Sequence, residues 1–385
     1  MKRIVRILPV VLVVVGTARG EHYRFRHYGP DEGLNTAISR LLQDRAGFLW
    51  VGSGDGLFRY DGARFQRFGT EDGLPSSSIR SLLEAADGTL WVLTGRGLAR
   101  RRHNSFETVD IGVGLEAADF DAMEVAADGT LYVGYDRGLL MGPPAKGGTA
   151  PRFSPVPGVS RDRVSGLYAE KGGAVWFSSG LRLCRLEHGR VRVFDKNDGV
   201  PPERWGAMLR DRRGDFWIRG PQHMAILEAG AAQFVDRGKG LPQSSNTILT
   251  VAEDQQGIVM VSTDQGLARW IDGRWELIGT AQGLESDTVT TVMQDREGSI
   301  WIGLWGAGLA RWPGNREWTN WTTRDGLSND IVWAVRRDPS GALWTGTDHG
   351  LVRLQSALGP RTWLKKDGLG GDKVKALAVS PDGAL

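Results

Sequence analysis

Residues 295–301 read Asp295-Arg296-Glu297-Gly298-Ser299-Ile300-Trp301, and this stretch decides the fold because the sequence repeats its pattern. An Asp is followed by Gly three residues later and by an aromatic residue six residues later, and changed copies keep part of the pattern. The repeats have anchor residues spaced 41 to 44 positions apart, and these are Trp50, Trp91, Tyr132, Trp176, Trp217, Met260, Trp301 and Trp344. A fixed period in this range is typical of a repeat protein.

Each repeat contains further marks that divide it into short segments. A Gly-Leu pair follows the anchor, as in Gly56-Leu57, and a second follows an aromatic stretch, as in Asp72-Gly73-Leu74. In the first repeat, β-rich runs bounded by Gly or Asp predict strands a to d at residues 38–43, 48–52, 57–60 and 65–68. Four strands in about 42 residues form the blade of a β-propeller, so we predict an all-β propeller.

The chemistry of the repeated motif agrees with this interpretation. The Asp carboxylate can accept backbone N–H bonds in the turn between strands a and b, and Gly supplies the left-handed residue of that turn. The large ring of the anchor can fill the space between neighbouring blades. A ligand site repeated in every blade is the alternative, but the stacking of repeats explains the periodicity by itself.

The order of strands predicts how the propeller closes. A strand of type d at residues 23–28 comes before any other strand, and it can complete the three strands at about residues 289–312. We therefore expect a seven-bladed propeller at residues 21–313 and the first part of a second propeller at residues 314–385. A single eight-bladed ring is the competing count. A ninth copy of the motif begins at Asp382, so we expect a longer protein.

The first twenty residues are typical of a secretory signal. Residues 1–6 are basic, residues 7–16 are mostly apolar, and Ala18-Arg19-Gly20 places small residues for cleavage before Glu21. An uncleaved membrane anchor is the alternative, but the apolar run is about half of the ~20 residues that a spanning helix needs.

The formal charge of +3 includes four basic residues of this segment, so the mature chain is near neutral and we expect no nucleic-acid partner.

Two stretches of the repeats resemble a known family. Residues 72–79, Asp-Gly-Leu-Pro-Ser-Ser-Ser-Ile, and residues 298–303, Gly-Ser-Ile-Trp-Ile-Gly, resemble the two-component regulator propeller repeat. The resemblance implies a periplasmic sensor, tethered to the membrane and homodimeric as a full-length receptor. It also implies two consecutive propellers, an immunoglobulin-like domain, a membrane helix and a histidine kinase, sometimes a hybrid one, or a diguanylate cyclase as output. Some members of the family sense polysaccharide fragments.

No motif in the sequence points to catalysis or to a bound cofactor. The six histidines lack metal-ligand spacing, and no Gly-x-Ser-x-Gly elbow is present. Cys184 is the only cysteine, so no internal disulfide can form. We expect no metal, no cofactor and no enzymatic activity in this chain. The alternatives are a secreted propeller enzyme, such as a glycan lyase or hydrolase, and a protein-binding scaffold.

Ligand contacts are expected on one face of the propeller. The loops between strands d and a and those between strands b and c share this face, and variable loops of a rigid scaffold often bind ligands. An exposed aromatic residue beside short polar residues suits a sugar ring, so we expect an extracellular small molecule or oligosaccharide. The candidate residues are Trp305, Asp348, His349, Asn329, Asp330, Asp287, Ser244, Asn246 and Asp264.

Overall fold

The computed structural model describes residues 23–112, 118–144, 149–245, 248–313, 321–323, 326–339, 342–354 and 360–380. The secretory signal predicted at residues 1–20, the ninth repeat at residues 382–385 and the candidate Asn246 lie outside these ranges. The described residues form eight antiparallel sheets of four strands each. No helix in these ranges is long and apolar enough to cross a membrane.

The first strand, β1 (Arg26–Tyr28), precedes the first complete sheet. Sheets 1 to 3 are each built from four consecutive strands. Their strands are β2 (Ile38–Gln43), β3 (Leu49–Ser53), β4 (Leu57–Tyr60) and β5 (Phe65–Phe68); β6 (Ile79–Glu84), β7 (Leu90–Thr94), β8 (Gly97–Arg102) and β9 (Ser105–Val109); and β10 (Phe120–Val125), β11 (Leu131–Tyr135), β12 (Gly138–Gly142) and β13 (Ser154–Pro155). Three of the four strands predicted in the first repeat have the predicted bounds, and β3 is displaced by one residue.

Sheets 4 to 6 follow the same order. Their strands are β14 (Leu167–Ala169), β15 (Val175–Ser179), β16 (Arg182–Glu187) and β17 (Arg190–Phe194); β18 (Ala207–Arg210), β19 (Phe216–Arg219), β20 (Met224–Leu227) and β21 (Val235–Asp236); and β22 (Val251–Glu253), β23 (Val259–Thr263), β24 (Gly266–Ile271) and β25 (Arg274–Ile278). Short 3₁₀ turns follow the outer strand of several sheets, at Pro30–Glu32, Thr70–Asp72, Lys196–Asp198, Thr280–Gln282 and Lys365–Asp367.

Sheet 7 joins strands from distant parts of the chain. It consists of β26 (Val289–Gln294), β27 (Ile300–Leu304), β28 (Leu309–Trp312) and β1, in the order β1-β28-β27-β26. His27 of β1 lies opposite Ala310 of β28. This pairing was predicted from the sequence and is confirmed. The strand is shorter than the expected residues 23–28.

The chain divides into two compact units, one spanning residues 24–318 and the other containing sheet 8. Sheet 8 consists of β29 (Val332–Arg337), β30 (Leu343–Thr347), β31 (Gly350–Arg353) and β32 (Arg361–Trp363). The domain boundary after residue 313 and the count of seven blades remain predictions of the sequence.

Within the first unit, the innermost strands lie side by side in the order β2, β6, β10, β14, β18, β22 and β26, and β26 lies against β2. Across this last contact, the Thr290 hydroxyl donates a hydrogen bond of 2.5 Å to the Ile38 carbonyl oxygen.

The apolar core lies between neighbouring sheets. Trp50 of sheet 1, for example, packs with Phe106 and Leu90 of sheet 2 and is fully buried. Burial of such rings between sheets is a large part of the hydrophobic stabilisation.

The repeated acid holds both the turn and the anchor. Asp44 Oδ1 accepts the Phe48 N–H at 3.0 Å, while Asp44 Oδ2 accepts the Trp50 Nε1–H at 2.8 Å. In the fourth repeat Glu170 replaces the Asp and accepts the Trp176 Nε1–H at 2.7 Å. The same indole bond recurs in Asp211–Trp217, Asp295–Trp301 and Asp338–Trp344. The anchors Trp91, Tyr132 and Met260 occupy the equivalent strand b positions in their own sheets.

The second Gly-Leu pair is explained by contact with the next sheet. Gly73 ends its 3₁₀ turn at a φ of 97°, and a Cβ at this position would lie 2.0 Å from the Phe106 carbonyl oxygen. Gly199 has the same relation to the Phe234 carbonyl oxygen, at 2.1 Å. Only glycine combines this left-handed backbone with so close an approach.

Candidate ligand-binding site

The inner strands β2, β6 and β10 each carry a bulge that places one side chain at the mouth of the central channel. Pairing skips one residue between the first and third residues of β2, β6 and β10. The skipped residues are Ser39, Arg80 and Asp121, and all three line one cavity of about 560 Å³. Bulges redirect side chains in this way beside many functional sites.

This mouth cavity is built from loops as well as strands. Asp119, Arg163, Glu203 and Arg204 line it from the loops between outer and inner strands, and Gln222 lines it from the loop between β19 and β20. It adjoins a second cavity of about 260 Å³, which residues of all seven inner strands line. The two cavities together form the channel of the first unit.

One arginine clamps the two aspartates of the mouth. The Arg163 guanidinium donates to Asp121 at 2.5 Å through Nε and at 2.7 Å through a terminal nitrogen. The same terminal nitrogen donates to Asp119 at 2.7 Å. These hydrogen bonds, first of all those to Asp121, raise the pKa of Arg163. Arg163 therefore holds both carboxylates in a fixed wall of the mouth.

Glu203 forms a second fixed wall. Its carboxylate accepts the backbone N–H groups of Gln222 at 2.6 Å and His223 at 3.0 Å, and it lies 2.5 Å from His223 Nδ1. The side chain is buried, so these bonds replace the water that it loses. Glu203 thus holds the loop between β19 and β20 in place beside the cavity.

Two further arginines at the mouth lack a close acidic partner. Arg40 donates to the Ser39 carbonyl oxygen at 2.7 Å, and burial lowers the pKa of Arg40 to about 10, an effect that Asp121 opposes and Arg80 increases. Arg80 approaches Asp119 only to 3.7 Å, and its Nε is buried without a hydrogen-bond partner. Both side chains remain cationic at neutral pH.

A single carboxylate lies further along the channel. Glu124 lines the second cavity, and burial raises the pKa of this carboxyl to about 7. Its Oε1 accepts the Val125 N–H at 3.2 Å, which opposes the shift. Glu124 therefore changes its charge near neutral pH.

The candidates predicted from the sequence lie mainly in loops that are joined by hydrogen bonds. Asp264 accepts the Ser244 hydroxyl at 3.1 Å and both the N–H and the hydroxyl of Ser245 at 2.7 Å. Asp287 accepts the N–H of Thr280 at 2.6 Å in its own loop. These carboxylates tie loops of the predicted face together. Trp305 lies in the loop between β27 and β28, and 56% of its surface is exposed.

Four other candidates belong to the second unit with sheet 8. Asn329 Oδ1 accepts the Ile331 N–H at 2.8 Å, and Asp330 accepts the Thr323 N–H at 2.6 Å. Asp348 accepts the Trp333 Nε1–H at 2.6 Å and pairs with Lys373 at 2.7 Å, while the His349 N–H bonds to Thr347. The candidates within the described residues are thus divided between two units and do not line the mouth cavity.

Sequence reasoning missed the residues of the mouth because it searched the loops. A signal was present, since the second position of the inner strands β2, β6 and β10 is polar in each case and carries Ser39, Arg80 and Asp121. A polar residue at one fixed position of successive inner strands is the pattern that indicates a channel. In the described ranges, no group of three or more His, Cys, Asp or Glu side chains could hold a metal ion.

The repeat and the fold both have known counterparts. The family described as "Two component regulator propeller" matches residues 73–96 and 283–306. The extracellular domain of a candidate hybrid two-component system from B. thetaiotaomicron is similar in structure, with a TM-score of 0.71, 20% identity, and coverage of 94% of this chain and 51% of that chain. A second such domain from the same organism has a TM-score of 0.62 and 18% identity, with coverage of 94% and 50%.

An enzyme is also among the structural neighbours. A catalytically inactive virginiamycin B lyase from Staphylococcus aureus has a TM-score of 0.60 and 9% identity, with coverage of 75% of this chain and 99% of that chain. The comparison with curated proteins found no match. This chain spans about half the length of the two B. thetaiotaomicron domains.

These similarities confirm the predicted propeller class, and the repeat matches confirm the predicted repeat type. At these identities the structural neighbours show the fold alone. Residues 73–96 and 283–306 are two-component regulator propeller repeats, and the chain is an all-β propeller protein that carries them.

Proposed function

We propose that the chain is the exported sensor propeller of a two-component signalling receptor. The observation that carries the proposal is the match of two repeats with the two-component regulator propeller. The structural likeness to extracellular domains of candidate two-component systems supports it. The receptor is homodimeric, is tethered to the membrane by a segment beyond this chain, and passes the signal to a kinase or cyclase.

The sensing unit is a seven-bladed ring at residues 21–313, and residues 314–385 begin a second propeller. The succession of seven neighbouring inner strands, with β26 against β2, supports this count. So does the sharing of sheet 7 between β1 and the strands near residue 300. A ring of this kind gives the receptor one loop face with a channel mouth at its centre.

The ligand is an extracellular small molecule or oligosaccharide that binds on this face. The mouth cavity of about 560 Å³ has the size of many ligand pockets and contains hydroxyl, amide and guanidinium groups. Binding alters the receptor only if the ligand prefers one arrangement of the propellers over another. The hydrogen bonds from Ser244 and Ser245 to Asp264 hold two loops of this face together.

Deletion of the chromosomal gene tests the signalling role. Transcripts of the host are compared before and after growth on individual polysaccharides, in the parent strain and in the deletion strain. We expect one polysaccharide response to disappear in the deletion strain and to return with the intact gene. The reading frame beyond codon 385 should also encode a membrane segment and an output domain. Unchanged responses on every polysaccharide would contradict the proposal.

A secreted enzyme is the second candidate, because virginiamycin B lyase shares the fold over 99% of its own length. The purified chain is incubated with polysaccharides and the products are separated by mass spectrometry. The sensor proposal predicts intact substrate. Fragments that the wild type produces, and that Glu203→Gln does not, would favour the enzyme.

A further inference from the structure

The acceptor groups at the mouth of the channel are already occupied. Asp121 and Asp119 accept hydrogen bonds from Arg163, and Glu203 accepts two backbone N–H groups beside His223. A cationic ligand would therefore have to displace bonds that the fold has made. Acidic residues line the cavity, but their carboxylates already accept hydrogen bonds from neighbouring residues of the protein.

The donor groups at the same mouth are not occupied to the same degree. Arg80 Nε is buried without a partner, and its nearest carboxylate oxygen, on Asp119, lies 3.7 Å away. Arg40 makes its hydrogen bond to a neutral carbonyl oxygen of Ser39. The Arg80 side chain keeps 41% of its surface exposed and its ion pair with Asp119 is long, so an incoming anion can reach this guanidinium and gain charge-assisted hydrogen bonds.

The position of these arginines favours a shared ligand. They lie on the neighbouring inner strands β2 and β6, and both line the mouth cavity. Arg80 is close enough to Arg40 to make its positive charge less favourable. Arg204 lines the same cavity from the fifth repeat and is exposed. A single anionic group between Arg40 and Arg80 would relieve the repulsion between them.

We propose that the channel mouth binds a sugar acid, with the carboxylate of the ligand held by Arg40 and Arg80. The carboxylate follows from the unpaired donors, and the sugar rests on the function proposed above. The cavity of about 560 Å³ is large enough for a pyranose ring beside the carboxylate. Ser39, Ser165 and Gln222 line it and can bond to ring hydroxyls.

Calorimetric titration of the purified 385-residue chain tests the proposal. The probes are glucuronate and galacturonate, with glucose and galactose as their neutral counterparts and sodium sulfate as an inorganic anion. We expect at least one of the two acids to bind, its neutral counterpart to bind at least about tenfold more weakly, and added salt to lower the affinity. Equal binding of acid and neutral sugar would overturn the proposal. Equal binding of sulfate would overturn the sugar acid as the ligand.

Arginine variants locate the site. Arg80→Gln and Arg40→Gln should each weaken binding of the acid roughly tenfold or more, because a charge-assisted bond is lost. Arg64→Gln is the matched control, since it removes the same charge from a side chain that is 86% exposed outside the cavity. Equal affinities of all three variants would contradict the site. The salt dependence of the wild type keeps the proposal testable if a variant does not fold.

Failure of this inference can be told apart from failure of the sensor proposal. Binding that depends on Arg80, in a host whose transcripts do not change when the gene is deleted, would support the site and contradict the sensor. A lost transcript response without any binding of the two acids would contradict the site and support the sensor.

Discussion

Asp44 serves two groups at once, the N–H of its turn and the indole of its anchor. It accepts Phe48 N–H at 3.0 Å and Trp50 Nε1–H at 2.8 Å. Because both the carboxylate and the indole are buried, removal of Asp44 would leave a polar hydrogen without a partner. The repeat motif therefore fixes both the turn and the orientation of the ring that packs against the next sheet.

We expect Asp44→Ala to lower the free energy of unfolding by about 2 to 4 kcal/mol, the usual cost of such unpaired groups. Asp87→Ala is the matched control, because Asp87 lies beside its glycine, is exposed and accepts the N–H of the nearby Thr89 at 2.9 Å but no indole N–H among the bonds described. Its cost should be about 0.5 kcal/mol. Urea unfolding measures both, and equal losses would contradict the role of the indole bond.

Glu124 gives the stability a dependence on pH. Burial raises the pKa of Glu124 from 4.5 to about 7, so the native state keeps a proton that the unfolded chain releases. Stability is therefore full below about pH 4.5 and is lost as the pH rises towards about 7. The loss above pH 7 is on the order of 3 kcal/mol.

Glu124→Gln should remove this dependence. We expect the variant to be more stable than the wild type at pH 8 and to match it at pH 4.5, because glutamine stays neutral throughout. Thermal unfolding at a series of pH values measures the difference. A difference in stability that does not change with pH would show that Glu124 is ionised in the native state.

Among the elements, the turns after the outer strands of sheets 1 and 4 pack against the following sheet. Gly73 needs a φ of 97° and lies where a Cβ would meet the Phe106 carbonyl oxygen at 2.0 Å. Gly62 has a similar φ of 100° but nothing within 4 Å of its Cβ position. The pair separates the cost of the backbone conformation from the cost of the contact.

We expect Gly62→Ala to cost about 1 kcal/mol, the usual penalty of a left-handed alanine. Gly73→Ala should cost about 3 kcal/mol or more, since a backbone carbonyl must also move. Unfolding in urea gives both values. Equal losses in the free energy of unfolding for the two variants would show that the turn at Gly73 makes no close contact with sheet 2.

The sequence predicted the elements well because turn chemistry and anchors recur. The bounds of β2, β4 and β5 follow from Gly, Asp and aromatic residues whose local preferences agree with the fold. It did not predict the bulges of the inner strands, because a polar residue such as Arg80 or Asp121 at the second position of a strand fits a strand without a bulge equally well. The candidate site was therefore placed on the loops, and the arginines of the mouth were found only from the pairing of the strands.

At the scale of the whole molecule, closure depends on a strand of three residues. β1 pairs with β28, and Tyr28 stacks on Trp301 at 5.7 Å while its hydroxyl lies 3.2 Å from that of Tyr60. The sequence predicted this pairing because the first strand had no partner of its own. This strand therefore joins the two ends of the first unit in one sheet.

A disulfide between β1 and β28 tests that closure most directly. His27 and Ala310 are opposite each other, and paired residues of antiparallel strands lie about 4.5 to 5.5 Å apart, within the range of a disulfide. The variant with His27→Cys and Ala310→Cys is exported, and its free thiols are counted by alkylation and intact mass. Each single variant serves as a control, because Cys184 is buried. We expect one internal disulfide in the double variant alone. Two alkylated thiols at positions 27 and 310 would contradict the pairing of β1 with β28.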